Sequence, residues 1–416
     1  MEAEVKTNKY AGCKIFKFSL STGGSCYIIP KYGCKKGFAA AVINVGSSDI
    51  SAQKEGEKIM FPSGTAHFTE HKMFEKETGD AMAEFSKLGA NANAFTDLSK
   101  TVYYFSCSDN FYEALNVLIQ MVFKPYFSEN TIERERQIIE REIAMYKDEN
   151  GWKAYFSMLS SLYGESRRFE EISGSIESIY KISANTLRKF YDCFYTGENI
   201  SFVICADIDP MKCAEIIEEN SVKRKHEKIA YSCEEFDLHE RFADKSEKSK
   251  MPVFDIGFAI DKKADIKNIC CAEIITEALY GRGSLYRRKM LKKNICAFPL
   301  NVSQCFGRGF YFVSAEGRSL KSRQAVHYAF YEMKKAAVNG IDSKTLDYAK
   351  NMCTQRLISI FKDAQSIVMQ QSILNNINSD LFEKYDCIQN IETDYIMYML
   401  EKGFGKANIS VAVHGI

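Results

Sequence analysis

Proline is scarce in this chain, with 6 in 416 residues, and tryptophan occurs once. No run of about 18 apolar residues appears anywhere, so no membrane span is expected. The first twenty residues, MEAEVKTNKYAGCKIFKFSL, have no apolar core of the kind a signal peptide carries, and a cytoplasmic location is expected. Charge of one sign is missing too. The formal net charge is +1, which leaves no global field to draw in nucleic acid or an anionic membrane surface, and neither is expected as a partner. What is present is the composition of a folded globular protein, 46% hydrophobic and 26% charged, in which long disordered tracts are not expected. At this length more than one core is expected.

Fourteen cysteines are scattered without an export signal, and they read as buried free thiols rather than a disulfide framework. Adjacent Cys270 and Cys271 lack the two-residue gap that a zinc-binding cysteine pair uses, so a cysteine metal site is set aside.

The hydropathy pattern gives an α+β chain. Residues 1–60 alternate like strands, residues 65–90 take a helical period, TVYYFSCS returns to strand, and NFYEALNVLIQMVF and TIERERQIIEREIAMYKDE are helical. The stretch 221–250 is charged and patchy and reads as a solvated linker between a first domain, 1–220, and a second, 251–416. Two echoes join the halves. NISFVICADI at 199 and NISVAVHGI at 408 each close a half, and GTAHFTEHKMFEK at 64–76 aligns with GRGSLYRRKMLKK at 281–293, placing Ser284, Arg287 and Arg288 against His67, Glu70 and His71. Two related domains are therefore expected, the metal ligands being confined to the first.

HFTEH carries the chemistry. On a helix, His67 and His71 lie four apart on one face, where both imidazoles can reach one cation, and Glu70 is within reach of a water on it. A hydrolytic zinc site usually takes a third protein ligand and leaves one position open. The helix TIERERQIIEREIAMYKDE offers Glu135 and Glu142, seven residues apart on the stripe expected to face inward with Ile138, Ile139, Met145 and Tyr146; Glu140 points elsewhere. Buried carboxylates call for a partner, either a divalent cation or the neighbouring Arg134, Arg136 and Arg141.

HFTEH followed by ERQIIEREI resembles the inverted-zincin metallopeptidases of family M16, the H-x-x-E-H group, which includes pitrilysin, insulin-degrading enzyme and the mitochondrial processing peptidase. GANANAFTDLSKTVYYFSC, GSIESI at 174–179 and LRKFYDCFYTGENISFVICADIDP match further landmarks of that family, and FPSGTAHFTEHKMFEK at 61–76 is similar to the short two-domain bacterial group. The resemblance implies zinc held by His67, His71 and Glu142, Glu70 as the base that activates water, and Glu135 supporting the ligands. It implies a peptide bound as an added strand along 91–96, at Asn93, Ala94 and Phe95. It also implies one bowl of a dimeric clamshell, paired with itself or with a sister subunit. Members that are complete place an arginine and a tyrosine over the substrate carbonyl from the other bowl. NVSQCFGRGFYFVSAEGRS holds no such pair at the expected spacing, Arg308, Tyr311 and Arg318 being the candidates, and a heterodimer is therefore favoured. A non-catalytic scaffold subunit and a hydrolase of non-peptide substrates are the rival readings, and cobalt or manganese would also suit these ligands.

Overall fold

The computed structural model describes residues 2–8, 12–54, 56–77, 79–164, 166–222, 241–245, 251–260, 263–405 and 408–414. The chain divides into two compact units. Unit 1 comprises residues 1–143, 171–232 and 358–382, and unit 2 comprises 144–170, 233–357 and 383–416.

Unit 1 is built on strands β1 (Ala3–Asn8), β2 (Cys13–Ser19), β3 (Ser25–Pro30), β4 (Gly37–Ile43), β9 (Asn91–Thr96), β10 (Thr101–Cys107) and β11 (Ile200–Ala206), with two short hairpins, β5 (Ser51–Lys54) with β6 (Glu57–Met60) and β7 (Glu75–Lys76) with β8 (Gly79–Asp80). The order in its main sheet is β1-β2-β3-β11-β4-β10-β9. GFAAAVI is buried at every position, as a central strand covered on both faces requires. β9 pairs with β10 alone and so closes the sheet with an open edge. Around this sheet stand α1 (Thr65–Met73), α2 (Ala81–Lys87), α3 (Phe111–Phe123) and α4 (Glu129–Tyr146).

Unit 2 holds β12 (Arg241–Lys245), β13 (Val253–Ala259), β14 (Asn301–Gly307), β15 (Phe310–Arg318) and β16 (Asn408–His414), in the order β12-β16-β13-β15-β14. Strand for strand this repeats β3-β11-β4-β10-β9, down to the one parallel pairing in each, β3 with β11 and β12 with β16. The two units are thus the same topology used twice, and the NIS echo falls on equivalent strands, β11 and β16.

The second echo does not survive the same test. Helix Leu285–Lys292, which carries Arg287 and Arg288 and is capped by Ser284, stands immediately before β14. That is the place of α2 before β9, whereas α1 corresponds to the preceding helix Ile266–Tyr280. A turn residue followed by a basic helix is a generic start signal, and it matched out of register.

Nor are the units contiguous halves, as a division at 221–250 would have them. Helix Ala364–Asn375 lies against β4 and β11 in unit 1, and α5 (Asn150–Tyr163) lies against β13 and β16 in unit 2, so each half of the sequence lends one covering helix to the other unit. Of the expected linker, 223–240 and 246–250 fall outside the described residues, and 241–245 form β12.

Candidate active site

α1 begins where backbone must meet backbone. Gly64, at φ +86°, precedes the helix, and a Cβ there would stand 2.4 Å from the Ser173 carbonyl oxygen. Gly174, at φ +75°, would meet the Ser63 carbonyl oxygen at 2.5 Å. Only glycine tolerates both the left-handed backbone and the approach. Ser178 Oγ then donates to the Ser63 carbonyl at 2.8 Å, so GSIESI serves to pin the N-terminus of α1. From Thr65 to Met73 every residue except His71 is buried. The helix is enclosed on all sides.

His67 and His71 pack with ring centroids 4.6 Å apart. Each turns its Nε2 toward one carboxylate, His67 at 3.5 Å from Glu142 Oε1 and His71 at 3.6 Å from Glu142 Oε2. Ligand atoms of these three residues all lie within 4.8 Å of one another, the single such group of His, Cys, Asp or Glu among the described residues. Behind it, Glu135 Oε1 stands 2.8 Å from His71 Nδ1. This fixes the Nδ1–H tautomer and leaves the Nε2 lone pair facing the cluster, which is how metal-binding histidines are commonly held. His67 Nδ1 is buried without a hydrogen-bond partner. Two imidazole nitrogens and one carboxylate oxygen converging in this way fit a divalent cation of the zinc type.

The electrostatics favour ionised carboxyl groups at Glu142 and Glu135 and proton uptake at His71. The bond to His67 keeps the Glu142 carboxyl below the usual range, against the opposing effect of burial and with help from both imidazoles. Burial alone would lower His71, but the bond to Glu135 and the charges of Glu70, Glu135 and Glu142 raise it. Burial would raise Glu135, and His71 outweighs it.

No arginine forms an ion pair with either glutamate among the described residues, although the charge of Arg134 adds to the lowering of Glu135. Arg136 pairs with Glu133, and Arg141 Nε donates to the Gln137 carbonyl. The stripe of α4 is nonetheless one residue off the expected one. Ile132, Ile139 and Ile143 are buried, whereas Ile138 is 37% and Met145 59% exposed. Glu135 and Glu142 stay on the inner side because they flank the true stripe at the same helical spacing.

Glu70 is 7% exposed, and its Oε2 accepts a hydrogen bond from Thr96 Oγ1 at 2.6 Å. Thr96 ends β9, so the carboxylate beside the two histidines is tied to the open-edged strand. Asn93 is exposed there and Ala94 and Phe95 half-buried, with Asn93 Oδ1 accepting from the Ala94 N–H at 2.8 Å. Thr96 was expected only as part of a strand motif. Nothing local in the sequence marks it as the partner of Glu70, 26 residues away.

In unit 2, Tyr311 is 3% exposed and its hydroxyl donates to Gln304 Oε1 at 2.6 Å. That corrects its candidacy as a group over the substrate carbonyl, because its hydroxyl is spent in the interior. Arg318 Nε lies 3.5 Å from Glu316 Oε1, and the Arg308 carbonyl accepts from Arg168.

Glu135→Gln removes the charge and keeps the shape. Zinc affinity is expected to fall by about 10–100-fold with the fold intact, measured by competition with a chromophoric chelator.

Set beside known proteins, residues 41–170 match the model of Insulinase (Peptidase family M16), and residues 181–353 match that of the Peptidase M16 inactive domain. The uncharacterized zinc protease YmfH of Bacillus subtilis is 32% identical over 317 residues, covering 73% of this chain and 74% of its own. Among solved structures, a putative M16-like peptidase from Alicyclobacillus acidocaldarius superposes with a TM-score of 0.89 at 22% identity, over 99% of this chain and 98% of its own. A protease from Helicobacter pylori superposes with a TM-score of 0.80 at 16% identity, over 96% and 99%. At such identities these last two speak to the fold.

Proposed function

The chain belongs to peptidase family M16, and from that premise we propose that it is a zinc-dependent endopeptidase that cuts peptides or unfolded segments. The observation that carries the proposal is the convergence of His67, His71 and Glu142 within 4.8 Å, with the carboxylate of Glu70 on the same helix. His67, His71 and Glu142 hold the ion. When bound, zinc supplies a water acidified toward neutrality and polarises the scissile carbonyl. Glu70 accepts the proton of the attacking water and returns it to the leaving amine, one of its oxygens fixed by Thr96. Glu135 orients His71. The open edge of β9 pairs with the backbone of an extended peptide, Asn93, Ala94 and Phe95 being the contact, so binding asks little of the substrate's sequence.

Two further parts of the proposal concern the setting. The chain works as one bowl of a dimeric clamshell, the zinc-bearing partner of a sister subunit. Support comes from the stretch 301–319, where the Tyr311 hydroxyl is taken by Gln304 and Arg318 pairs with Glu316. The second setting is the cytoplasm, supported by the free thiols of every cysteine among the described residues. Among those residues no helix is long and apolar enough to cross a membrane.

The test is to purify the chain alone, measure bound zinc, and follow cleavage of a quenched-fluorescent unstructured peptide. Zinc bound one per chain, with cleavage appearing only when a sister subunit is added, is the expected result. Full cleavage by the chain alone would overturn the need for a sister. Absence of zinc from a folded chain would favour the scaffold reading instead.

A further inference from the structure

Lysine is almost never fully buried, yet Lys72 is 1% exposed. It follows His71 directly. Its neighbour in the same stretch, Lys76, has a sufficient structural account: its ammonium donates to the Met121 and Lys124 carbonyls at 2.9 and 3.0 Å and so closes the C-terminal end of α3. Lys72 caps no helix. Its Nζ donates to Thr131 Oγ1 at 2.6 Å and pairs with Glu75.

Thr131 is in the first turn of α4, with its own hydroxyl also bonded to the Ser128 carbonyl at 3.1 Å. Glu135 and Glu142 follow at spacings of four and seven, so all three residues lie along one side of that helix. The ammonium therefore joins the helix that carries both histidines to the helix that carries both carboxylates, on the side where those groups meet. Among the described residues, no other side-chain bond between the two helices stands outside the histidine and carboxylate cluster itself. A cluster of three ligands drawn from two helices keeps its spacing only if the helices cannot slide, and a hydrogen bond to a buried cation is directional and costly to break.

We propose that Lys72 is a positioning residue for the metal site: it latches α1 to the first turn of α4 through Thr131 and so holds Glu135 and Glu142 in register with His67 and His71. The inference rests on the reading of those residues as a metal centre, and its test separates the two.

Lys72→Met replaces the ammonium by an apolar group of similar length, and Thr131→Val removes the acceptor at nearly constant volume. Zinc affinity is measured for each and for the double variant by chelator competition. Amide hydrogen exchange of the metal-free proteins is measured alongside. Lys72→Met is expected to weaken zinc binding by about 10–100-fold, the range seen when a ligand's support is removed. The double variant should bind no more weakly than Lys72→Met, because both changes break one link. In the metal-free proteins, exchange should quicken along 131–142 while β3, β4 and β11 keep their protection.

Wild-type zinc affinity in Lys72→Met would overturn the latch, as would losses that simply add. A lysine that only filled space would show lower protection throughout unit 1 with metal binding untouched. Should Lys72→Met fail to fold, Thr131→Val decides by the same two readouts. If the wild-type chain takes up no zinc, the metal reading falls, and exchange along 131–142 still decides whether Lys72 holds α4.

Discussion

On the proposed function, Glu70→Gln is expected to lower kcat/KM for peptide cleavage, assayed with the sister subunit present, by about 10²–10⁴-fold while leaving bound zinc unchanged. The substitution is nearly isosteric. The amide oxygen of glutamine can still accept the hydrogen bond from Thr96 that the carboxylate accepts at 2.6 Å, so the side chain keeps its place beside β9. Basicity is what is lost, because an amide cannot take a proton from water at any ordinary pH. Zinc stays because Glu70 is not one of the three residues whose ligand atoms converge. Cleavage is followed with a quenched-fluorescent peptide and metal by elemental analysis of the same sample. Undiminished cleavage would remove Glu70 from the chemistry. Loss of zinc together with activity would mean that the carboxylate holds the ion rather than the proton.

Glu142→Ala is expected to have the opposite signature, with zinc lost and the fold retained. Glu142 presents one oxygen to each histidine, at 3.5 and 3.6 Å, and it is the only negative ligand of the set. Its removal should cost more than the about 10–100-fold expected for a supporting residue such as Glu135. It also leaves two imidazoles 4.6 Å apart with no carboxylate between them, and only a modest change in stability is expected. Metal uptake should depend on pH with a definite sign. Ligands bind deprotonated, and His71 is raised in the metal-free chain by Glu135 and its acidic neighbours against the lowering effect of burial. Protons therefore compete at a higher pH than they would for an isolated imidazole, and uptake weakens as pH falls through that range. Equal zinc binding by Glu142→Ala and wild type would exclude Glu142 as a ligand.

Much of unit 1 was legible because its signals are local. The i, i+4 spacing of His67 and His71 needs only one turn of helix, residues 1–60 and TVYYFSCS read as strands from their patterning, and the strand at 91–96 came from the family resemblance. α4 was legible to within one residue. Glu135 and Glu142 sit at the margin of its stripe, so anchoring the period on Ile138 or on Ile139 leaves both carboxylates on the inner side and misplaces only the exposed Ile138 and Met145. What stayed hidden depends on contacts distant in sequence. α1 is buried on every side, so the helical period expected over 65–90 does not tell which way its residues face, and nothing local marks Lys72 as the partner of Thr131, 59 residues away. The exchange of helices between the units has no signature in periodicity, because α5 and helix Ala364–Asn375 are apolar enough to cover either sheet. Tyr311 shows the limit of motif reading: its place in the corresponding stretch made it a candidate although the spacing did not fit, and Gln304 takes its hydroxyl into the core.

The central claim is that His67, His71 and Glu142 together hold zinc. Anomalous diffraction from crystals of the purified chain, recorded on both sides of the zinc absorption edge, tests it most directly. The account predicts one strong zinc peak per chain, within bonding distance of His67 Nε2, His71 Nε2 and a Glu142 oxygen, with Glu70 unbound beside it. A zinc peak elsewhere, or a zinc-replete crystal with no peak between the two histidines, would contradict it.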